Sequence, residues 1–302
     1  MNWRQSRLRF SLNTVTPPRR LLICAVGSGL IYLFIFTIPF PLPALYSTVP
    51  PVDYTKLTGY SAAGLWRYLL GLAALFGLYL WAICLTLPSA PASTPATAAP
   101  SRLNSPSSLF LSSTIFALIL FFSYPLTAID LFIYAIRTRG WARYGLQPLA
   151  TPPETLPADD IWLGLAGEWV DAASPYGPVW ELLSLAAFQL SGDSFLTHLF
   201  WLKVIGAAAY LGCVWLVYIL LTHLRPAWAI AGTLAFAWNP LVLFESVQNG
   251  HNDIVMIFFF LAAILVFIQI YQPTNQSKMI GLSLLFCLLL ALSILVKFVT
   301  VL

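Results

Sequence analysis

The run ESVQNGHNDIVMIFFF, residues 245 to 260, places Glu245, Gln248, Asn249, His251, Asn252 and Asp253 directly before a solid apolar stretch. Isolated polar groups are costly in hydrocarbon, so a cluster of this kind marks either a site or a membrane boundary. Glu245 and Asn249 are four residues apart and share one face of a helix. Pro240, in the preceding Trp238-Asn239-Pro240, removes a backbone donor and kinks that helix. A kinked helix presenting Glu245 and Asn249 to a His-Asn-Asp turn forms a polar pocket. Asn252 or Asp253 also suits a helix N-cap, which leaves His251, Glu245 and Asn249 unexplained. Histidine and aspartate ligate metals too, but the spacing identifies no ion. A divalent metal is therefore compatible but unsupported, and no cofactor is expected with certainty.

Asp130 is the second candidate for chemistry. It follows the apolar run 109 to 129 directly. At a water boundary, partial burial raises a carboxyl toward the range of a useful general base. The same position also suits a residue that merely marks the end of a helix. Arg137, Arg139 and Arg143 follow in the one long polar segment, 130 to 178. DLFIYAIRTRGWARYG is expected to form an amphipathic helix in the headgroup region, with Phe, Ile and Trp downward and the arginines toward phosphates. SPYGPVW, 174 to 180, reads as a turn into a helix, and Pro178 with Gly177 has a plain structural explanation. Lys297 lies in an apolar helix, where it either snorkels to the interface or meets a lipid phosphate.

The elements that carry these residues follow from composition. The chain has 302 residues, 59% hydrophobic and 9% charged, against about 25% charged in an ordinary soluble domain. Several apolar runs exceed the roughly 18 residues that crossing a bilayer requires. The fold class is all-α: a polytopic transmembrane helical bundle with about seven spanning helices plus a short interfacial or re-entrant helix. The spans are expected at 21–45, 65–87, 109–129, 197–221, 226–244, 253–271 and 281–302, and the short helix at 179–192. The organisation reads as a basic segment and two-helix membrane unit over 1–87, a low-complexity Pro/Ser/Ala linker over 88–108, and a core over 109–302 with an outer loop at 130–178. The arginine-rich, acid-free N-terminus places that end in the cytoplasm, and His223 with Arg225 marks a second cytoplasmic turn. With 179–192 not crossing, Asp130, the outer loop, the His251 cluster and Lys297 then converge on one membrane face. Cys24, Cys84, Cys213 and Cys287 lie in apolar runs and read as buried reduced thiols. The net charge of +4 comes largely from the N-terminus, and no basic-aromatic patch suggests nucleic acid. The chain stops inside an apolar run, so further helices are expected beyond it. GxSxG, HExxH, Walker A and GxGxxG patterns in the right context are not present.

The ordered set of Asp130 after a span, SPYGP, Phe200-Trp201-Leu202-Lys203, WNPLVLFESVQNGHND and LSILVKF resembles the GT-C superfamily. It resembles more closely the bacterial polyprenol-phosphate-mannose-dependent mannosyltransferases, over roughly residues 109 to 302. The resemblance implies an integral membrane glycosyltransferase of the bacterial plasma membrane. Such an enzyme takes a sugar, here mannose, from a polyprenyl-phosphate donor to a glycan or glycolipid acceptor at the outer face, inverting the anomeric centre. By resemblance, Asp130 matches an acid in the first outer loop that acts as general base. His251 and Asp253 match a motif near donor or acceptor, and Lys297 a basic position suited to the carrier phosphate. Tyr176, Glu245, Asn249, Asn252, Arg137 and Arg139 complete the expected substrate-binding set. Asp130 lacks a neighbouring acid in sequence, which leaves a paired-carboxylate metal site unsupported. Two other readings stand beside it: a polyprenyl-lipid or solute transporter, and a non-catalytic membrane assembly subunit. A transporter would show paired broken helices, whereas the sequence shows one break, at Trp238-Asn239-Pro240.

Overall fold

A computed structural model describes residues 17–48, 51–88, 105–271 and 276–298. Arg4, Arg7, Arg9 and most of the 88–108 linker lie outside them. Helix α1 (Pro17–Ile31) continues through a π-helical turn, Tyr32–Thr37, into the short helices α2 (Leu42–Leu45) and α3 (Tyr54–Leu57). Then come α4 (Ala62–Thr86), α5 (Pro106–Phe121), α6 (Asp130–Tyr144), α7 (Pro178–Ser191), α8 (Phe195–Leu224) and α9 (Ala229–Ala237). The chain closes with α10 (Pro240–Leu243) and its π-helical extension Phe244–Gln248, α11 (Asp253–Ile270) and α12 (Gln276–Val296). No strand occurs among the described residues.

Local sequence sets the helix starts. Ser61, Ser105 and Ser194 each accept a backbone N–H in the first turn of the following helix, satisfying a donor that has no partner inside the helix. Pro106, Pro178 and Pro240 occupy first positions, where a missing N–H costs nothing.

Among the described residues, five helices are long and apolar enough to cross a membrane: Arg19–Thr37, α4, α8, α11 and α12. A sixth crossing requires Pro226–Ala237 and Pro240–Gln248 to act together across a 52° bend. The expected count of about seven spans thus becomes five or six, and the break expected at Trp238-Asn239-Pro240 is present. The run 109–129 is helical only to Phe121, because Ser123 turns out to bridge Pro41 and Tyr124 donates to Phe40 O at 2.8 Å. The run 226–244 is broken at Asn239, whose side chain caps the second half. Helix α7 has 14 residues, shorter than a perpendicular crossing needs.

The first two long helices pack into the same core as the rest. Tyr79 donates to Ala235 O at 2.8 Å, Ser123 to Phe36 O at 2.9 Å, and the Phe36 and Phe244 rings lie 4.9 Å apart. The outer faces of α4 and α12 remain apolar and exposed, with Leu65, Trp66, Leu70, Leu284 and Leu288 among them, as expected of helices whose solvent is lipid. Cys24 and Cys213 are buried, but Cys84 and Cys287 lie on exposed faces. A thiol is apolar enough for that lipid-facing position.

Helix α6 corrects the amphipathic expectation. Every residue from Leu131 to Gly140 is buried, so Arg137 and Arg139 do not lie open to headgroups; Arg143, in the last turn, is exposed and pairs with Asp193. The segment 146–177 folds over it, with α7 and α8 on the other sides. Gly145, at φ 70°, ends the helix and turns the chain back.

Candidate active site

Three breaks in the helical framework meet at one place: the end of α5, the π-helical end of α10, and the start of α11. Asp130 opens α6, seven residues after the α5 end loosens at Ser123. Glu245 lies on the π-helical turn, and π turns commonly reshape a helix at a site. His251 follows it, and its backbone N–H is held by Glu245 O at 2.9 Å.

The imidazole of His251 stands between two carboxylates. Nδ1 lies 2.8 Å from Glu245 Oε2, and Nε2 lies 3.4 Å from Asp130 Oδ2, without the alignment of a hydrogen bond. Burial alone would lower the His251 pKa. The adjoining Asp130 and Glu245 outweigh it and push the ring up to about 9, so it is an imidazolium at neutral pH. Asp130 is shifted the opposite way. The His251 ring beside it holds its carboxyl below the ordinary value against the effect of burial, assisted by Tyr176. This corrects the expectation of a base strengthened by burial: the cation across the gap decides.

Tyr176 donates to Asp130 Oδ1 at 3.2 Å, and Tyr134 donates to the Tyr176 oxygen at 3.4 Å. Burial pushes the Tyr176 phenol up to about 12, keeping it a donor. The Ser-Pro-Tyr-Gly-Pro turn that delivers Tyr176 is pressed against the end of α12. Gly177 N donates to Val296 O at 2.9 Å, and a Cβ at position 177 would overlap the carbonyl of Leu295. Only glycine permits that approach, so the turn needs more than its general shape. It also brings Lys297 to the site. Lys297 Nζ binds both oxygens of Asp253, at 2.8 Å and 2.9 Å, and lies 5.7 Å from the centre of the Tyr176 ring.

Glu245, His251 and Asp253 form the polar mouth of a cavity of about 270 Å³. Its walls below are Phe236, Leu241, Val242, Ile254 and Ile257, from the broken helix pair and α11. Charged and apolar side chains thus line one cleft.

The expected site residues divide three ways. Asp130, Tyr176, Glu245, His251, Asp253 and Lys297 come together. Asn249 stands behind them, fully buried, with Nδ2 donating to Glu245 Oε2 at 3.3 Å and to Thr127 Oγ1 at 2.6 Å. Its contacts orient Glu245.

Asn252, Arg137 and Arg139 do not join. Asn252 is buried and neither lines the cleft nor caps α11 through its side chain. The capping explanation therefore fails for the residue best placed for it, and Asp253 is committed to Lys297. Arg137 is buried and donates to Ala172 O at 3.0 Å. Arg139 is buried against Asp160 at 2.8 Å and Asp193 at 2.9 Å, with its guanidinium 4.8 Å from the Trp162 ring. Both arginines hold the 146–177 segment onto α6, through the Ala172 and Ala173 carbonyls and the Asp160 carboxylate.

Among the described residues, no three His, Cys, Asp or Glu side chains are grouped to hold a metal ion. The two ring nitrogens of His251 face different acids, so Asp130, His251 and Glu245 do not converge on one point. Sequence reasoning gave no role to Thr127, Tyr134 or Lys203. Only Lys203 carried a signal, as a cation inside an apolar run.

A protein-family profile described as alpha-(1->6)-mannopyranosyltransferase, N-terminal domain, matches residues 42–302. The chain belongs to that family. This mannosyltransferase is an integral membrane glycosyltransferase, and the match takes in α2 to α4 as well as the motif-bearing region after residue 109. Searches of curated proteins and of solved structures returned no match. In this mannosyltransferase the motif that bears Asn249, His251 and Asp253 supplies one part facing the interior and two parts facing the cleft.

Proposed function

We propose that the enzyme moves mannose from a polyprenyl-phosphate donor to a glycan or glycolipid acceptor at the outer face of a bacterial plasma membrane, with inversion. The observation that carries this reading is the joining of a charged rim to an apolar cleft. Glu245, His251 and Asp253 open onto Phe236, Leu241, Val242, Ile254 and Ile257, which suits a head group continued by an isoprenoid chain. A water-soluble nucleotide sugar would leave those apolar walls unused.

In this reading Asp130 takes the proton of the acceptor hydroxyl. The freed oxygen attacks the anomeric carbon from the side opposite the phosphate, and the bond from that carbon to the phosphate oxygen breaks. The electron pair leaves with the polyprenyl phosphate. A low carboxyl pKa suits a base that acts late, when the hydroxyl is already acidified by bond formation. The His251 imidazolium and Lys297 face the phosphate and stabilise its growing charge. Tyr176 holds one oxygen of Asp130, and the other faces His251 Nε2 at 3.4 Å.

The test supplies purified enzyme in lipid with polyprenyl-phosphate mannose, a nucleotide-linked mannose and a panel of oligomannoside acceptors. Transfer from the lipid donor alone, with inverted anomeric configuration, is the expected result. Equal or better use of the nucleotide donor would overturn the donor assignment.

A further inference from the structure

Lys203 lies within the spanning helix α8, and its side chain is completely buried. A cation in such a place is expensive and is kept where its partners repay it. None of its hydrogen-bond partners is a carboxylate. Nζ donates to Ser123 O at 2.8 Å, to Gln248 O at 2.8 Å and to Leu120 O at 3.4 Å. Three carbonyls match the three donors of an ammonium. Leu120 and Ser123 lie at the C-terminal end of α5, and Gln248 closes the π-helical turn. Helix C-termini carry unpaired carbonyls and the negative end of the dipole, so one cation answers two such ends at once.

Two further contacts join the same ends. Gln248 Nε2 donates to Ser123 Oγ at 2.8 Å. One turn beyond Lys203, Gly206 lets α8 approach the π-helical turn, since a Cβ there would stand 2.7 Å from Ser246 O.

The reacting residues leave from these two ends. Asp130 follows Ser123 by seven residues, and His251 follows Gln248 by three. We propose that Lys203 is a positioning residue, which sets the separation of Asp130 and His251 by holding together the two helix ends from which they extend. The proposal rests on the reading of Asp130 and His251 as site partners. Lys203 itself touches no substrate.

A lysine needed only for folding would change the amount of folded protein. A positioning lysine must also change how His251 feels its neighbours. Those neighbours are Asp130 and Glu245, with Asp253, Lys297 and Tyr176 around the same site. The experiment is an NMR titration of histidine ring carbons in the full chain in lipid nanodiscs, beside transfer kinetics. The chain has three histidines, His198, His223 and His251, and the His251→Gln variant assigns the signal. Lys203→Met keeps length and bulk but removes all three donors. It is expected to lower the His251 titration by about one pH unit or more, the scale of one close charge partner, and to reduce kcat more than KM. Lys203→Arg, which keeps charge and donors, is expected to restore much of both.

If Lys203→Met does not fold, the titration is made on Gln248→Leu, which removes the parallel tie to Ser123 and is expected to give a smaller shift of the same sign. An unchanged His251 titration in the folded variant overturns the proposal, even where activity falls. A shifted titration with unimpaired transfer upholds the positioning and removes the Asp130–His251 pair from the reaction.

Discussion

His251 Nδ1 stands 2.8 Å from Glu245 Oε2. The acid lies on a π-helical turn and the imidazole on the loop that follows, so six residues of chain fold back to make the pair. With Asp130 on the other side, the ring is held protonated to about pH 9. A histidine whose folded pKa is raised stabilises the fold fully below its unfolded value of about 6.5, and that contribution is lost as pH rises through the folded value. Thermal stability should therefore decline as pH rises from about 6.5 toward about 9 and then level off, and transfer should show an alkaline limb near the upper value. Glu245→Gln should move the limb toward neutral pH. Melting curves and pH–rate profiles of both proteins check it, and an unmoved limb would exclude Glu245 as a determinant.

Asp130→Asn preserves shape and removes the proton acceptor. Transfer is expected to fall by roughly 10²-fold or more, the usual scale for losing general-base assistance. Donor binding should stay near native. Single-turnover rates beside a lipid-donor binding assay distinguish this from a residue that only marks a helix end, whose loss would leave turnover intact.

Lys297 is shared between Asp253 and the position assigned to the phosphate. Lys297→Met should raise the apparent KM for the lipid donor more than it lowers kcat. Asp253→Asn takes its carboxylate from the Lys297 ammonium and should leave donor binding equal or tighter while reducing turnover. Opposite movements of donor affinity in the two variants support the assignment. Parallel losses of affinity, matched by parallel losses of folded protein, would reduce the pair to a tie between α11 and α12.

Arg139 answers Asp160, whose side chain is fully enclosed. Breaking a buried pair from one side costs about 3–5 kcal/mol, so Arg139→Ala should lower the melting temperature and loosen the 146–177 segment to limited proteolysis. Activity per folded molecule should survive. A native melting curve with lost donor binding would return Arg139 to the substrate.

The outer-face reading predicts which positions an impermeant thiol reagent reaches. In a background without native cysteines, Thr155→Cys and Phe298→Cys should label from outside and His223→Cys should not. All three positions are exposed in the fold. Labelling of Thr155→Cys and Phe298→Cys from opposite sides would separate Asp130 from Lys297 and dissolve the site.

The class of protein and the identity of its polar cluster were legible in the sequence, because both depend on composition and local order. Apolar runs of bilayer length admit only helices whose backbone groups are satisfied internally. Asp130, His251, Asp253 and Lys297 stood out because charges are scarce in such a chain. Which polar residues face the cleft was decided in three dimensions. Arg137 and Arg139 looked like phosphate ligands on an amphipathic helix, but α6 is enclosed and they hold the 146–177 segment. Asn249 and Asn252 share a motif with His251, yet one orients Glu245 from behind and the other is buried with no hydrogen-bond partner for its side-chain amide among the described residues. The ionisation of Asp130 was out of reach of the sequence for the same reason. Its carboxyl is governed by an imidazole 121 positions further along the chain, and only the tertiary fold places the two 3.4 Å apart.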